Sequence, residues 1–470
     1  MEKYVEWGRR YSHQLANEFA FYIYDQSYVS TVYLSYATVI VMAVVLVSLG
    51  SYSTLERPKN AKIANEKHPL FDPSDRDETS IPEAIIDETH AFAMPVLAGI
   101  ALVSLYFAIR NWDIQKIITM LNGYLIILSV KANSFMISYL IKVTARNICH
   151  QLGLDSQRFV KRYALTISRD DLFHSAGVEE NFLLPDSTEA EKIIKSEMLL
   201  NSRVDIKKDS QLFNFYYSTA DVYGWVFGIA FSIVFALLDG KNNWILSNIF
   251  GASFTIFGLS VSRLPSFRPA LIMLILFFIY DIYFVFGSDV MVNVATKIDL
   301  PVKMLVPSKL SSEDNEIHMS ILGLGDMIVP GLFVSLCLRY DLFKYHELHP
   351  CTEFHHLQRF DKPYFHSALV GYTIGLISTV TVLHAFNRAQ PALLYLCPSI
   401  ILSTLSTALF RGELKSLWDY SEAEKTTTME QPVDFVCSSE TLFLAGPLIS
   451  SDDDDEDEDY TPEAFSDSDF

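Results

Sequence analysis

The chain has 470 residues, a formal net charge of −20 and a mean hydropathy of +0.21, and half of its residues are apolar. Eleven of the carboxylates fall in residues 450–470, which contain no Lys or Arg, so the rest of the chain is only mildly acidic. A nucleic-acid-binding protein should show a basic face, and this composition argues against that class. The five cysteines lack CxxC spacing and predict neither a disulfide framework nor a cysteine zinc site.

Nine apolar stretches along the chain are long enough to cross a bilayer. The hydrocarbon core of a membrane is about 30 Å thick and needs about 20 apolar residues in a helix. We therefore expect an all-α polytopic membrane protein with about nine transmembrane helices, and a count of eight or ten is also compatible. The predicted spans are 32–50, 91–109, 117–138, 223–240, 244–262, 269–287, 318–338, 365–385 and 391–410.

These spans divide the chain into four predicted regions. Residues 1–31 form a leader that precedes a signal anchor. Residues 32–222 hold helices 1–3 and a long cytosolic insertion at 139–222, residues 223–410 hold helices 4–9, and residues 411–470 form an acidic tail that we expect to be disordered. Outside the long insertion, the predicted cytosolic segments carry fourteen Lys and Arg residues against ten on the other side. This difference favours a C-terminus in the cytosol and an N-terminus outside it.

Two of the spans each carry an aspartate, a residue that is costly in hydrocarbon and is therefore a functional hypothesis by default. Asp281 lies twelve residues from the predicted cytosolic start of the sixth span, and Asp326 lies twelve residues from the predicted cytosolic end of the seventh. Because these two spans run in opposite directions, both carboxyls should lie about 18 Å from the cytosolic face. They can therefore face each other.

Two carboxyls held together cannot both ionise cheaply, so we expect this pair to share one proton. The ionised carboxyl can take a proton from a water that attacks a peptide carbonyl, while the protonated carboxyl polarises that carbonyl. This chemistry needs no metal or cofactor. The alternative function is a proton-linked transporter or channel in which the same pair is a relay, and it predicts ion flux without a cleaved product.

Small residues surround the second aspartate. Gly323 and Gly325 permit either close helix approach or a non-helical backbone, and Pro330 and Gly331 weaken the helix that follows. Loosened backbone at this point could pair with an extended substrate by strand addition. The ninth span opens with a proline at position 391, which is an ordinary way to start a helix.

At three places the sequence resembles the GxGD intramembrane aspartyl proteases, and within them the signal peptide peptidase family. Tyr280 and Asp281 match the YD motif of the family, and residues 323–326 (Gly-Leu-Gly-Asp) match its GxGD motif. Residues 390–393 (Gln-Pro-Ala-Leu) match its QPAL motif, and the three motifs occur in the family's order. The resemblance covers roughly residues 220 to 420 well and the rest poorly.

The resemblance implies a nine-span protease with a lumenal N-terminus, a cytosolic C-terminus and a catalytic core at 223–410. It makes Asp281 and Asp326 the catalytic dyad. The other motif residues would shape the site or position the substrate: Tyr280, Gly323, Leu324, Gly325, Gln390, Pro391, Ala392 and Leu393.

The resemblance also implies partners and a compartment. The substrates would be type II membrane segments, such as signal peptides left in the endoplasmic reticulum membrane, and a homo-oligomer is compatible with it. Presenilins share the motifs but have a longer loop between the catalytic spans and the opposite orientation. Within the family, the alternative is a signal peptide peptidase-like protease of the Golgi or another endomembrane, because Arg339 to Asp341 and Tyr364 to His366 resemble that group.

Other polar residues in or near the spans favour structural roles. Lys131 is expected to snorkel or to mark a span end, and Tyr280 and Tyr283 to pack with a polar tip. A cluster after the seventh span matches no tight metal-ligand pattern. It consists of His346, His349, Cys351, His355 and His356.

Overall fold

The computed structural model describes twelve stretches of the chain. Residues 423–470 of the predicted acidic tail and most of the predicted insertion at 139–222 lie outside them. Residues 411–422 of that tail lie inside them and hold a short helix, Leu414–Asp419, so the expectation of disorder is wrong there. The described residues are 2–24, 28–58, 60–62, 84–86, 88–153, 162–168, 211–238, 240, 243–287, 300–310, 317–386 and 390–422.

Most of the described residues are helical. Eight of the helices are long and apolar enough to cross a membrane, which confirms the polytopic membrane fold. Six of the eight are α2 to α7 and the other two are α9 and α10. The helices are α1 (Glu2–Tyr24), α2 (Tyr28–Ser53), α3 (Glu88–Asn111), α4 (Ile114–Leu152), α5 (Thr219–Leu237), α6 (Trp244–Val261), α7 (Phe267–Phe286), α8 (Gly325–Leu348), α9 (Pro363–Phe386), α10 (Leu393–Arg411) and α11 (Leu414–Asp419).

Three two-stranded sheets connect some of the helices in the described part of the chain. The pair β1 (Ala84–Ile85) and β4 (Ser262–Arg263) is parallel, and β2 (Arg162–Ser168) pairs with β3 (Gln211–Ser218) in antiparallel fashion. The third sheet is an antiparallel hairpin of β5 (Lys303–Leu310) and β6 (Ile317–Gly323).

The seventh predicted span, 318–338, is wrong in its first part, because that part is the strand β6 and the helix α8 begins only at Gly325. Hydropathy counts apolar residues and does not report which conformation they adopt. Here β5 supplies the backbone partners that an extended segment needs when water is scarce. Helix α8 is not among the eight apolar helices, since it carries Asp326, Arg339 and Asp341.

Helix α4 also differs from the prediction, because it runs past residue 138 to Leu152. The apolar stretch stops where basic residues begin, yet Lys142 forms an ion pair of 2.9 Å with Asp221 of α5 and the helix continues. It ends at Gly153, whose φ of 64° is the left-handed conformation that closes many helices.

Cys351, in the segment between α8 and α9, is disulfide-bonded. The spacing of the five cysteines did not predict this bond.

Helix α8 lies at the centre of the core, where α2, α6, α7, α9 and α10 contact it. Helices α7 and α8 run antiparallel, and the ring of Phe267 lies 5.4 Å from the ring of Tyr340. Helices α9 and α10 approach closely, because a Cβ atom added at Gly375 would lie 2.9 Å from the Cα of Leu396. This packing brings the starts of α8 and α10 next to the later turns of α7.

Candidate active site

Asp281 lies in α7 with only 7% of its surface exposed. One of its carboxylate oxygens accepts a hydrogen bond of 3.0 Å from the backbone N–H of Leu393. This N–H belongs to the first turn of α10, where amides have no partner within their own helix. A backbone N–H of the QPAL motif therefore bonds to the aspartate of the YD motif and orients the Asp281 carboxylate.

Asp326 lies in the first turn of α8, immediately after the hairpin. The hydroxyl of Tyr372, a fully buried residue of α9, donates to the backbone carbonyl of Asp326 at 3.3 Å. The carboxyls of Asp281 and Asp326 lie within electrostatic range of each other, and the thiol of Cys397 on α10 is close enough to interact with both. The fold thus brings together two acids that are 45 residues apart in the sequence.

The two carboxyls lie at matched depth along their helices. Asp281 follows Phe267 by fourteen residues, and Asp326 precedes Tyr340 by fourteen residues. Because the rings of Phe267 and Tyr340 are in contact, each aspartate lies about 21 Å along its helix from that contact. The sixth and seventh predicted spans therefore run in opposite directions with their carboxyls at the same depth, as expected, although α8 starts later than predicted.

The glycines of the second motif differ in their surroundings. A Cβ atom at Gly323 would lie 3.2 Å from Oδ2 of Asp326, so this glycine leaves room for the carboxyl. A Cβ atom at Gly325 would meet no heavy atom within 4 Å, so close packing does not explain that glycine. Leu324 between them is buried, and its N–H donates to the carbonyl of Val302 at 3.3 Å.

The remaining motif residues flank Asp281. Tyr280 packs against the rings of Phe277 and Phe284 at 6.0 and 4.7 Å, in keeping with a packing role. Helix α10 begins at Leu393, two residues later than the proline-led start that the sequence suggests. Gln390 is half-buried, Pro391 is buried, and Ala392 is the N-cap residue without a side-chain cap.

The other polar candidates are engaged elsewhere. The ammonium group of Lys131 lies 5.8 Å from the ring centroid of Phe257. Within the part of the chain that the structure describes, no group of three or more His, Cys, Asp and Glu side chains is placed to hold a metal ion. His346 contacts Thr352, and His355 lies 3.3 Å from Glu353.

The sequence pattern did not single out three residues: Tyr372 and Cys397, which lie beside the two aspartates, and Asn248, which bonds to strand β5. Each is a polar or polarisable group inside an apolar span, and this position is the one sequence feature that could have marked them as candidates. Their contacts are with helices and a strand that are distant in the sequence, so their partners could not be assigned from it.

Comparisons with known proteins place the chain among proteins of one family. A family model described as signal peptide peptidase matches residues 76–424. A probable intramembrane protease of Saccharomyces cerevisiae is 32% identical over 429 residues, which cover 82% of this chain and 73% of the yeast protein. The signal peptide peptidase of Mus musculus is 35% identical over 184 residues (39% of this chain, 45% of the mouse protein), and the human signal peptide peptidase-like 2B is 32% identical over 213 residues (41% and 33%).

Proposed function

Because the chain belongs to the signal peptide peptidase family and is an intramembrane aspartic protease, we propose that Asp281 and Asp326 are its catalytic carboxyls. One observation carries this assignment. The two acids lie on antiparallel helices at matched depth and within electrostatic range, and a backbone N–H orients one of them. The same pair could relay protons in a transporter, but family membership favours proteolysis.

The reaction needs only these two groups and a water molecule. One carboxylate takes a proton from the water as its oxygen attacks the peptide carbonyl, and the other carboxyl donates a hydrogen bond to the carbonyl oxygen. A tetrahedral intermediate forms. A carboxyl then gives a proton to the peptide nitrogen while the C–N bond breaks, which releases an acid and an amine.

The hairpin offers a way to present an extended substrate. A helical peptide shields its backbone carbonyls, so the segment must unwind before water can attack. Strand β6 ends at Gly323, three residues before Asp326. A substrate strand that pairs with β6 would carry its backbone toward that carboxyl. The buried Pro391 and Leu393 would shape the opposite side of the same space.

We further propose that the substrates are type II membrane segments, among them remnant signal peptides. The names of the mouse and human relatives support signal peptides as substrates, and the type II orientation rests on the resemblance of the sequence motifs to the family. The charge distribution supports an N-terminus in the lumen and a C-terminus in the cytosol. The endoplasmic reticulum membrane is the proposed compartment. The alternative is a later secretory compartment, which the resemblance of Arg339 to Asp341 and Tyr364 to His366 to signal peptide peptidase-like proteases supports.

Substitution of each aspartate tests the catalytic assignment. We expect Asp281→Asn and Asp326→Asn to lower the cleavage rate of a defined type II membrane peptide by about 10²-fold or more, because each removes an acid or base group. Asn has nearly the same shape, so the thermal unfolding midpoint should change little.

The matched control is Asp221→Asn, which changes an aspartate of α5 that pairs with Lys142 away from the site. This variant should keep its cleavage activity. Full activity in either Asp281→Asn or Asp326→Asn would contradict the proposed dyad.

A further inference from the structure

The side chain of Asn248 on α6 makes two hydrogen bonds to the backbone of one residue in β5. Its Nδ2 donates to the carbonyl of Leu305 at 2.7 Å, and the N–H of Leu305 donates to its Oδ1 at 2.7 Å. A neighbouring antiparallel strand makes the same two bonds in a hydrogen-bonded pair. The Asn248 amide therefore closes the edge of β5 that β6 does not occupy.

These two hydrogen bonds matter because Leu305 is buried. Leu305 is 8% exposed, and its neighbours Met304 and Val306 are 1% and 2% exposed. Backbone groups that are buried among membrane helices cannot rely on water, so an unpaired N–H or carbonyl there is costly. The amide of Asn248 keeps this part of the hairpin extended and fixes its position against α6.

Gly251, one helical turn after Asn248, allows the hairpin to pack closely against α6. A Cβ atom at Gly251 would lie 2.7 Å from Sδ of Met304 and 3.2 Å from Cδ2 of Leu324. Residues three apart lie on one face of a helix. That face of α6 thus contacts both β5 and the residue that precedes the α8 helix.

The position of β5 against α6 determines where β6 and the start of α8 lie. Leu305 lies opposite Ile321 in the strand register, and β6 ends two residues later at Gly323. The N–H of Leu324 then bonds to Val302, and α8 starts with Asp326 in its first turn. A shift of β5 would therefore move β6 and the start of α8 together.

We propose that Asn248 is a positioning residue that holds the β5–β6 hairpin in register and thereby sets which peptide bond of the substrate meets the two carboxyls. The proposal rests on the proposed function of Asp281 and Asp326. Asn248 acts through the hairpin, and its loss should change both the rate and the position of cleavage.

The test compares Asn248→Leu with Asn133→Leu in the full-length protein. Leucine is close in size to asparagine and removes both hydrogen bonds to Leu305. Asn133 is the matched control, because it is a buried asparagine that donates to Ser232 at 3.0 Å between α4 and α5. Product ends from a defined transmembrane peptide are mapped by mass spectrometry, together with kcat, KM and Tm.

We expect Asn248→Leu to lower kcat by about tenfold or more with little change in KM, because small displacements of reacting groups are costly in rate. Its product ends should spread over several bonds, whereas Asn133→Leu should keep the wild-type ends at a similar loss of Tm. Wild-type product ends in Asn248→Leu would overturn the proposal. If that variant does not fold, Asn248→Gln, with an amide one methylene further out, should shift the ends instead.

Hydrogen–deuterium exchange supplies a readout that does not need catalysis. Exchange at residues 303–310 and 317–323 should accelerate in Asn248→Leu and stay unchanged in Asn133→Leu. Unchanged exchange in Asn248→Leu would also overturn the proposal. If Asp326→Asn still cleaves, the proposed function fails, and the exchange data still decide whether Asn248 holds the hairpin.

Discussion

The two glycines of the GxGD motif differ at the scale of single atoms. A Cβ atom at Gly323 would lie 3.2 Å from the carboxylate of Asp326, whereas a Cβ atom at Gly325 would meet no heavy atom within 4 Å. A contact of that length is tighter than ordinary van der Waals contact, so the Asp326 side chain must move if a methyl group is added. The motif therefore contains one glycine whose Cβ position lies close to the carboxyl and one whose Cβ position is open.

This difference predicts unequal effects of the same substitution. Gly323→Ala should lower kcat by about tenfold, because the carboxyl is displaced by a few tenths of an ångström or rotated away from Asp281. Gly325→Ala is the matched control two residues away and should retain most of the activity. Single-turnover cleavage of a defined substrate measures both variants. Equal losses in the two would show that the contact with Asp326 is not the reason for the glycine at 323.

At the scale of elements, polar contacts join the ends of α7, α8 and α9 that lie away from the two carboxyls, and the segment after α10 makes some of them. Arg339 of α8 donates to Glu422 and to the carbonyl of Leu264, each at 2.8 Å. Asp341 accepts the N–H groups of Tyr364 and Phe365 at the start of α9. The ends of α7, α8 and α9 are thereby joined through polar contacts instead of apolar packing alone.

Glu413 contributes a pH-dependent part of this connection. It forms an ion pair with Lys344 of α8 and accepts a hydrogen bond of 2.7 Å from the hydroxyl of Tyr364 of α9. Partial burial alone would raise the pKa of Glu413, but the bonds from Lys344 and Tyr364 outweigh it and lower that pKa below its ordinary value of 4.5.

A lowered folded-state pKa contributes stability above the unfolded-state value, and that contribution is lost as the pH falls through the folded value. We expect the Tm difference between wild type and Glu413→Gln to be largest above pH 4.5 and to shrink in more acidic buffer. Thermal melts of the purified protein across this range measure it. A difference that grows on acidification would contradict the assigned contacts.

At the scale of the whole molecule, the direction of the chain across the membrane decides which substrates can enter in the productive sense. The 470 residues contain no Asn-x-Ser/Thr sequence. Any glycosylation of a variant with one added acceptor therefore shows that this acceptor lies on the lumenal side. We expect an acceptor tag before residue 2 to be glycosylated in microsomes and the same tag after residue 470 to remain unmodified. The reverse pattern would contradict the charge-based orientation and the type II substrate class with it.

Much of the architecture was predictable because the cost of burying a polar residue in hydrocarbon is a property of the sequence itself. Apolar runs located eight helices, and the rarity of acids in such runs singled out Asp281 and Asp326. Hydropathy could not find strand β6, because residues 317–323 are apolar enough for a helix and become a strand only through pairing with β5.

What the sequence alone determined is which segments enter the membrane and which acids they carry. The tertiary structure decided the geometry around those acids. It placed the N–H of Leu393 on Asp281, 112 residues away in the sequence, and the amide of Asn248 on Leu305, 57 residues away. Transfer free energies act on each residue separately, whereas a hydrogen bond requires two groups to meet, and only the packed helices bring those groups together.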